Sequence, residues 1–399
     1  MDPVRNPYAP GAGQRPPELA GRDAELQTFD VLLERVSRGR PERSVVLTGL
    51  RGVGKTVLLN ALRSAAVRRG WGTGKLEARP DQAVRRPLAA ALHLAVRELA
   101  GRREDEADHV LGVIKSFAQR EAAGAKATAS KGRPWQPGID VPAVPGRADS
   151  GDIEIDLVEL FTDVAGLAGD TGHGVAVFID EMQDLAPDDV SALCAACHEI
   201  SQQSLPLVVV GAGLPHLPAV LSASKSYSER LFRYARIDRL DRGAADLALR
   251  APAQDEDADF TDEALAAMYE VTGGYPYFIQ AYGKAAWDVA PRSPVGAADV
   301  AVAAPEAAGE LAVGFFGSRY ERATPAEREY LRAMADVADP DAPDHAVPTA
   351  SVAEALRRPP QSLSPARDGL LKKGLVYSGQ RGRIAFTVPH FGRYLRTQD

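Results

Sequence analysis

The sequence predicts an α/β protein built on a doubly wound parallel sheet, and three observations predict it. Over residues 18–241, apolar runs of strand length alternate with segments of helical spacing. One run, Ser44-Val45-Val46-Leu47-Thr48, feeds straight into Gly49-Leu50-Arg51-Gly52-Val53-Gly54-Lys55-Thr56, a complete G-x-x-x-x-G-K-[ST] loop. Another, Gly174 to Ile179, is apolar throughout and ends in two acids, Asp180 and Glu181, as expected of a strand buried on both faces.

Bulk composition sets the frame. A chain of 399 residues is long for one core, so two or three domains are expected. The composition, 45% apolar and 25% charged, is that of an ordinary globular protein. A formal charge of −7 argues against a globally basic nucleic-acid coat and leaves room for a local patch. Met1 to Pro17 is rich in Pro and Gly without an apolar stretch, which predicts a flexible arm and no secretory leader. No apolar run approaches the roughly eighteen residues of a membrane span, so a cytoplasmic protein without a membrane partner is expected. Cys194 and Cys197 are spaced C-x-x-C beside His198, but with no second pair. A tetrahedral metal site needs four ligands, so these thiols are expected on the apolar face of a helix.

The elements follow in order. Leu26, Phe29, Leu32, Leu33 and Val36 make Arg22 to Arg38 an amphipathic helix. After the glycine loop, the apolar spacing from Val57 predicts a helix ending near Gly70, and Gly74 to Ala78 a second strand. Ala83 to Leu99 and Asp105 to Glu121 read as helices, and the Gly-, Pro- and Lys-rich stretch at about 124–151 as a mobile insertion, with an extended piece at Gly138 to Val144. Helix resumes at Ile153 to Ala168 and again from Pro187, before the apolar strand at Leu205 to Leu214. A basic aromatic stretch, Tyr227 to Tyr234, precedes a short strand near Ala235 to Leu240. Residues 242–322 show only helical patterns and are expected to form a small lid.

Residues 323–399 carry Thr324-Pro325 ahead of a helix at Ala326 to Ala335, then helices at Thr349 to Arg357 and Ser362 to Gly374. Leu375 to Ser378 and Arg383 to Val388 flank Gly379-Gln380-Arg381-Gly382 as a hairpin would. Three helices and a basic-tipped hairpin predict a winged helix-turn-helix. From Ser351 to Asp399, nine Arg and Lys face three acids (Glu354, Asp368 and Asp399), a balance of 9 − 3 = +6 in an acidic chain. That charge is expected of phosphate contacts, with Arg367, Lys372, Lys373, Arg381 and Arg383 as candidate duplex-DNA ligands. A domain that binds protein, or holds the rest of the chain closed, is the alternative.

The chemistry sits in the loop and the acids. Glycines let successive N–H groups turn inward around phosphate oxygens, and the following helix N-terminus adds partial positive charge. Lys55 is expected on the β- and γ-phosphates of ATP, and the Thr56 hydroxyl on Mg²⁺. Asp180 is expected to orient Mg²⁺, and Glu181 to polarise the attacking water.

With these residues in view, the order Glu18-Leu19-Ala20-Gly21-Arg22-Asp23, glycine loop, Ile179-Asp180-Glu181 and Thr272-Gly273-Gly274-Tyr275-Pro276 resembles the AAA+/STAND superfamily. Within it, residues 18 to about 322 most resemble the origin-recognition-complex-like AAA ATPases of bacteria and archaea. The resemblance implies a phosphate-loop ATPase with a helical lid and, commonly, a C-terminal winged helix. It implies an adenine pocket lined by Leu19 to Arg22, and a lid in which Pro276 faces the nucleotide. Arg230 resembles the arginine that such proteins present near a γ-phosphate, in cis or from a neighbouring subunit of a homo-oligomer; Arg233 and Arg236 are alternatives. Two features depart from the pattern. The strand Val208 to Val210 ends in Gly211-Ala212 without a polar sensor, and no sensor arginine follows Pro276. A slow nucleotide-dependent switch is therefore expected rather than a fast motor.

Overall fold

The computed structural model describes all residues except 12, 101–103, 121–137, 340–345 and 399. Five parallel strands form the central sheet: β1 Ser44–Thr48, β2 Gly72–Glu77, β3 Val175–Asp180, β4 Leu207–Gly213 and β5 Phe232–Arg236, in the order β2-β3-β4-β1-β5. Successive strand residues point to opposite faces. Val45, Leu47, Ala176, Phe178, Val208 and Val210 enter one core, while Val46, Val175, Val177, Ile179 and Val209 enter the other. Both faces are therefore apolar, and both are covered.

Helices α1 Asp23–Ser37 and α2 Lys55–Arg68 cover the first face through Phe29, Leu33, Leu58 and Leu62. The second is covered by α3 Arg85–Ala100, α4 Glu104–Gln119, α5 Ile153–Asp170 and α6 Pro187–Gln202, with α7 Leu217–Ser224 and α8 Ser228–Leu231 at its rim. The last strand begins earlier than the expected Ala235 to Leu240. Phe232 is buried and pairs with Ser44, and only the Ile237 N–H continues the ladder, to the Thr48 carbonyl.

Residues 124–137 of the expected insertion, with Glu121 at the end of the expected helix before it, lie outside the described residues. Its remainder runs along α4, where Lys115 Nζ donates to the Ile139 and Val141 carbonyls at 3.0 and 2.8 Å. Ile139 and Ala148 are buried there.

The region expected as a lid comprises α9 Arg242–Asp255, α10 Asp262–Thr272, α11 Pro276–Val289, α12 Ala297–Glu310, a π-helical turn at Leu311–Gly317 and α13 Ser318–Glu321. Ala297–Glu321 is one continuous helical run of 25 residues, long and apolar enough to cross a bilayer although its apolar residues are interrupted by polar ones. Its Leu311, Phe315, Phe316 and Tyr320 are buried in the protein core.

The N-terminal segment, expected as a flexible arm, packs against the lid. Tyr8 is 4% exposed, and its hydroxyl donates to the Leu249 carbonyl at 2.5 Å. Arg5 pairs with Glu256 at 2.9 Å, and Trp287 Nε1 donates to the Asp2 carbonyl at 2.9 Å. One buried ring gives the arm an anchor that its Pro- and Gly-rich composition conceals.

Beyond the lid come α14 Pro325–Val337, β6 Val347–Pro348, α15 Thr349–Ala355, α16 Pro360–Lys372, β7 Val376–Tyr377, β8 Arg383–Phe386 and α17 Phe391–Leu395. Thr324 and Glu327 close a capping box on α14. The hairpin forms as expected, and a two-residue strand, β6, adds to β8 to make an antiparallel sheet in the order β6-β8-β7.

Candidate nucleotide site

The glycine loop sits between β1 and α2 at the carboxyl edge of the sheet. Gly52 and Gly54 adopt φ of 85° and 89°, a left-handed geometry that side chains rarely tolerate. At Gly49 a Cβ would stand 2.2 Å from the Ile237 carbonyl oxygen, so the strand's exit requires glycine. No side chain caps α2, which leaves its first N–H groups directed at the loop's concavity.

Lys55 is 8% exposed, and its Nζ donates to the Gly49 and Leu50 carbonyls at 2.9 and 2.8 Å. Burial pushes its pKa down to about 8, against the opposing pull of Glu181 and Asp180. Asp180, at the end of β3, is buried, and its Oδ1 accepts the Glu181 N–H at 3.0 Å. Glu181 itself has φ 48°, a costly conformation for a residue with a Cβ and one found at functional sites. Its Oε1 accepts from Arg51 Nη1 at 3.2 Å and its Oε2 from Gln183 Nε2 at 2.6 Å.

Lys55, Arg51 and Glu181 face a cavity of about 420 Å³, within the size range of small-molecule and cofactor sites. Thr56, Leu19, Arg22 and Pro276 line it alongside Arg51 to Lys55 and Glu181. Arg22 braces the loop as well as bordering the cavity: its Nη2 donates to the Val53 carbonyl at 3.2 Å and the Asp238 carbonyl at 2.6 Å. Asp180 does not itself line the cavity. Arg230 is exposed on α8 and is not among the lining residues; Arg233 and Arg236 are likewise exposed, Arg236 pairing with Asp238 at 3.0 Å.

Three contributors were not foreseen. Residues of the N-terminal arm, among them Ala9, Pro10 and Pro16, form one wall. Gln183, two residues past Glu181, receives the Leu214 N–H on its Oε1 at 3.0 Å, so it joins Glu181 to the end of β4 where no polar sensor was found. Arg319, on α13, also lines the cavity. Its guanidinium lies 4.2 Å over the Phe315 ring, and burial, then the nearby Arg51 cation, pushes its pKa down. It lies far beyond Pro276 in sequence, because the rest of α11, the whole of α12 and the π turn intervene.

The C-terminal unit reaches the same loop. The Arg51 N–H donates to the Thr387 carbonyl at 2.8 Å, and the Arg51 guanidinium lies against Gly374. From the lid, the Tyr277 N–H donates to the Gly52 carbonyl at 3.2 Å. His216, half-buried at the start of α7, stacks on Tyr377 with ring centroids 6.2 Å apart. Of the five basic residues proposed for DNA, Lys373 pairs with Glu327 at 2.6 Å, Arg367 with Asp368 at 3.1 Å, and Arg383 donates to the Ala346 carbonyl. Lys372 and Arg381 are exposed.

The cysteines occupy the apolar side of α6, both buried, with thiol pKa values pushed up by desolvation, that of Cys194 to about 11. Among the described residues no group of His, Cys, Asp and Glu suited to a metal ion occurs.

Comparison with known proteins agrees with this geometry. Residues 18–210 match the AAA ATPase domain family, and residues 313–395 match a domain of unknown function. No curated protein matches the chain. Among solved structures, a Walker-type ATPase of Pyrococcus abyssi aligns over 96% of this chain and 97% of its own, at 15% identity and a TM-score of 0.57. The RuvB Holliday junction branch migration motor of Thermotoga maritima aligns over 97% and 100%, at 16% identity and 0.44. The ORC1 protein of Aeropyrum pernix, solved in complex with DNA, aligns over 95% and 93%, at 14% identity and 0.44. Over residues 18–210, the match to the AAA ATPase domain family coincides with the first strands of the parallel sheet and with the glycine loop and its acids.

Proposed function

We propose that the chain binds ATP with Mg²⁺ and hydrolyses it slowly, as a switch whose C-terminal unit responds to the nucleotide. The observation that carries this reading is the meeting of Lys55, the glycine loop and Glu181 around one cavity. Thr56 and Asp180 supply the hard oxygen donors that suit Mg²⁺, a cation that would neutralise charge on the phosphates. Glu181 is the base toward water, and Gln183 fixes its direction. Titration with a fluorescent ATP analogue, wild type against Lys55→Ala, tests it; equal affinity for both defeats the proposal.

The switch rests on the contact of Arg51 with Thr387 and Gly374, which puts the C-terminal unit on the phosphate loop. Three helices and the β6-β8-β7 sheet support reading that unit as a winged helix. Engagement of duplex DNA is the second reading, favoured by the exposed Lys372 and Arg381 within the +6 segment. A salt-sensitive mobility shift, lost on reversing Lys372 and Arg381, is its expected result. No shift of any duplex at low salt leaves the unit as an internal clasp. Arg230, exposed on α8, suits a site on a neighbouring copy in a nucleotide-dependent homo-oligomer. Turnover per subunit should then rise with protein concentration, and concentration-independent turnover removes that role.

A further inference from the structure

Glu181 is the base under the ATP reading, yet both of its carboxylate oxygens are engaged. Oε2 accepts from Gln183 Nε2 at 2.6 Å, and Oε1 accepts from Arg51 Nη1 at 3.2 Å. A guanidinium on Oε1 competes with water for that oxygen. We propose that Arg51 is a γ-phosphate ligand held in reserve on Glu181: a terminal phosphate draws the guanidinium away, and the same movement frees the base. The proposal rests on the ATP reading above.

Arg51 belongs to the glycine loop and lines the cavity with Lys55 and Glu181. Its main chain is fixed, the N–H donating to the Thr387 carbonyl at 2.8 Å. The C-terminal unit bounds its guanidinium, since a Cβ at Gly374 would stand 3.1 Å from Nη2. About that fixed Cα, the cavity is the open space into which the side chain can turn. Its pair with Glu181 is half-buried, at 29% and 25% exposure, so solvent can reach and loosen it. The strand beside both acids offers no rival ligand. It ends in Gly211-Ala212-Gly213, where a Cβ at Gly211 would stand 2.4 Å from Met182 Sδ and Ala212 is buried. A terminal phosphate carries more charge than a carboxylate and presents three acceptor oxygens to the guanidinium fork. ADP lacks that group, so the ADP-bound protein keeps Glu181 paired. One residue thereby tells ATP from ADP and restrains the base.

Competition against a fluorescent ATP analogue, on the full chain with Mg²⁺, gives ATP and ADP affinities for wild type and variants. Arg51→Met keeps most of the stem and removes the charge. It should lower the preference for ATP over ADP about tenfold, the size of a charge-assisted contact, and leave ADP within about twofold. Arg51→Lys should recover part of the preference. Glu181→Ala, which unlike Gln leaves Arg51 no acceptor, should tighten ATP severalfold without tightening ADP. That gain should disappear when Arg51→Met is added, because the pair no longer exists to be broken. Parallel losses of ATP and ADP in Arg51→Met, or an unchanged preference, overturn the assignment. So does a Glu181→Ala gain that is missing, or that survives in the double variant. A wild-type chain that binds neither nucleotide overturns the ATP reading itself.

Discussion

The Arg51 N–H and the Thr387 carbonyl, 2.8 Å apart, tie the phosphate-binding loop to the C-terminal unit by a main-chain hydrogen bond. Main-chain groups in that loop are the ones a phosphate would engage. Under the proposed function, the docked unit and a bound nucleotide would act on the same few residues, and their equilibria would be linked.

Tyr377→Ala removes the ring that stacks on His216 and should loosen this docking without touching the cavity. Dissociation of a fluorescent ADP analogue should quicken severalfold, on the order of a 1 kcal/mol loss for a ring pair. A stopped-flow rate identical to wild type would show that the unit does not restrain the nucleotide.

Glu181→Gln should keep ATP affinity and lower phosphate release by roughly 10² or more, the usual share of a general base. Asp180→Ala should lose Mg²⁺-dependent turnover as well. Wild-type turnover in Glu181→Gln would move the base elsewhere.

Lys55 supplies a pH dependence. Its pKa in the free protein is about 8, and a phosphate beside it would raise that value, so the bound state holds more protons. ATP affinity is then greatest below pH 8 and should fall as pH rises above it, approaching tenfold per unit until the bound-state pKa is reached. Binding isotherms between pH 7 and 9.5 check this, and a flat profile in wild type contradicts it. In Lys55→Ala the slope should vanish.

Arg319 has a cavity position and a half-buried guanidinium near Arg51. Arg319→Ala should weaken ATP by about tenfold, as for a charge-assisted contact, and weaken AMP much less. Equal losses across AMP, ADP and ATP would assign it a packing role instead.

Sequence reading succeeded where a local pattern encodes a local structure. The glycine loop, the acids at the end of β3 and the Thr324-Pro325 start of α14 each carry their geometry in a few adjacent residues. It succeeded for the sheet because a strand covered on both faces must be apolar throughout, as Val175 to Ile179 is. It failed where position depends on distant packing. Tyr8 becomes an anchor only because Gly283 leaves room for it. Gln183 and Arg319 reach the site through a side-chain bond and an irregular helical turn, neither of which has a spacing to recognise. The charge of the C-terminal segment was legible, whereas the pairing of Lys373 with Glu327 required the fold.

The π-helical turn at Leu311–Gly317 gives one helix two audiences. Gly314, Phe315 and Arg319 look into the cavity, while Phe316 stacks on Phe391 and Tyr394 of the C-terminal unit. A π turn accommodates an additional residue, and each residue of a regular helix advances the azimuth by about 100°. Removing one residue from this turn would therefore act as a rotation more than a shortening, swinging Arg319 from the cavity while the helix stayed continuous. The angular phase of this single turn is what lets the cavity and the C-terminal aromatic stack be addressed from the same rod.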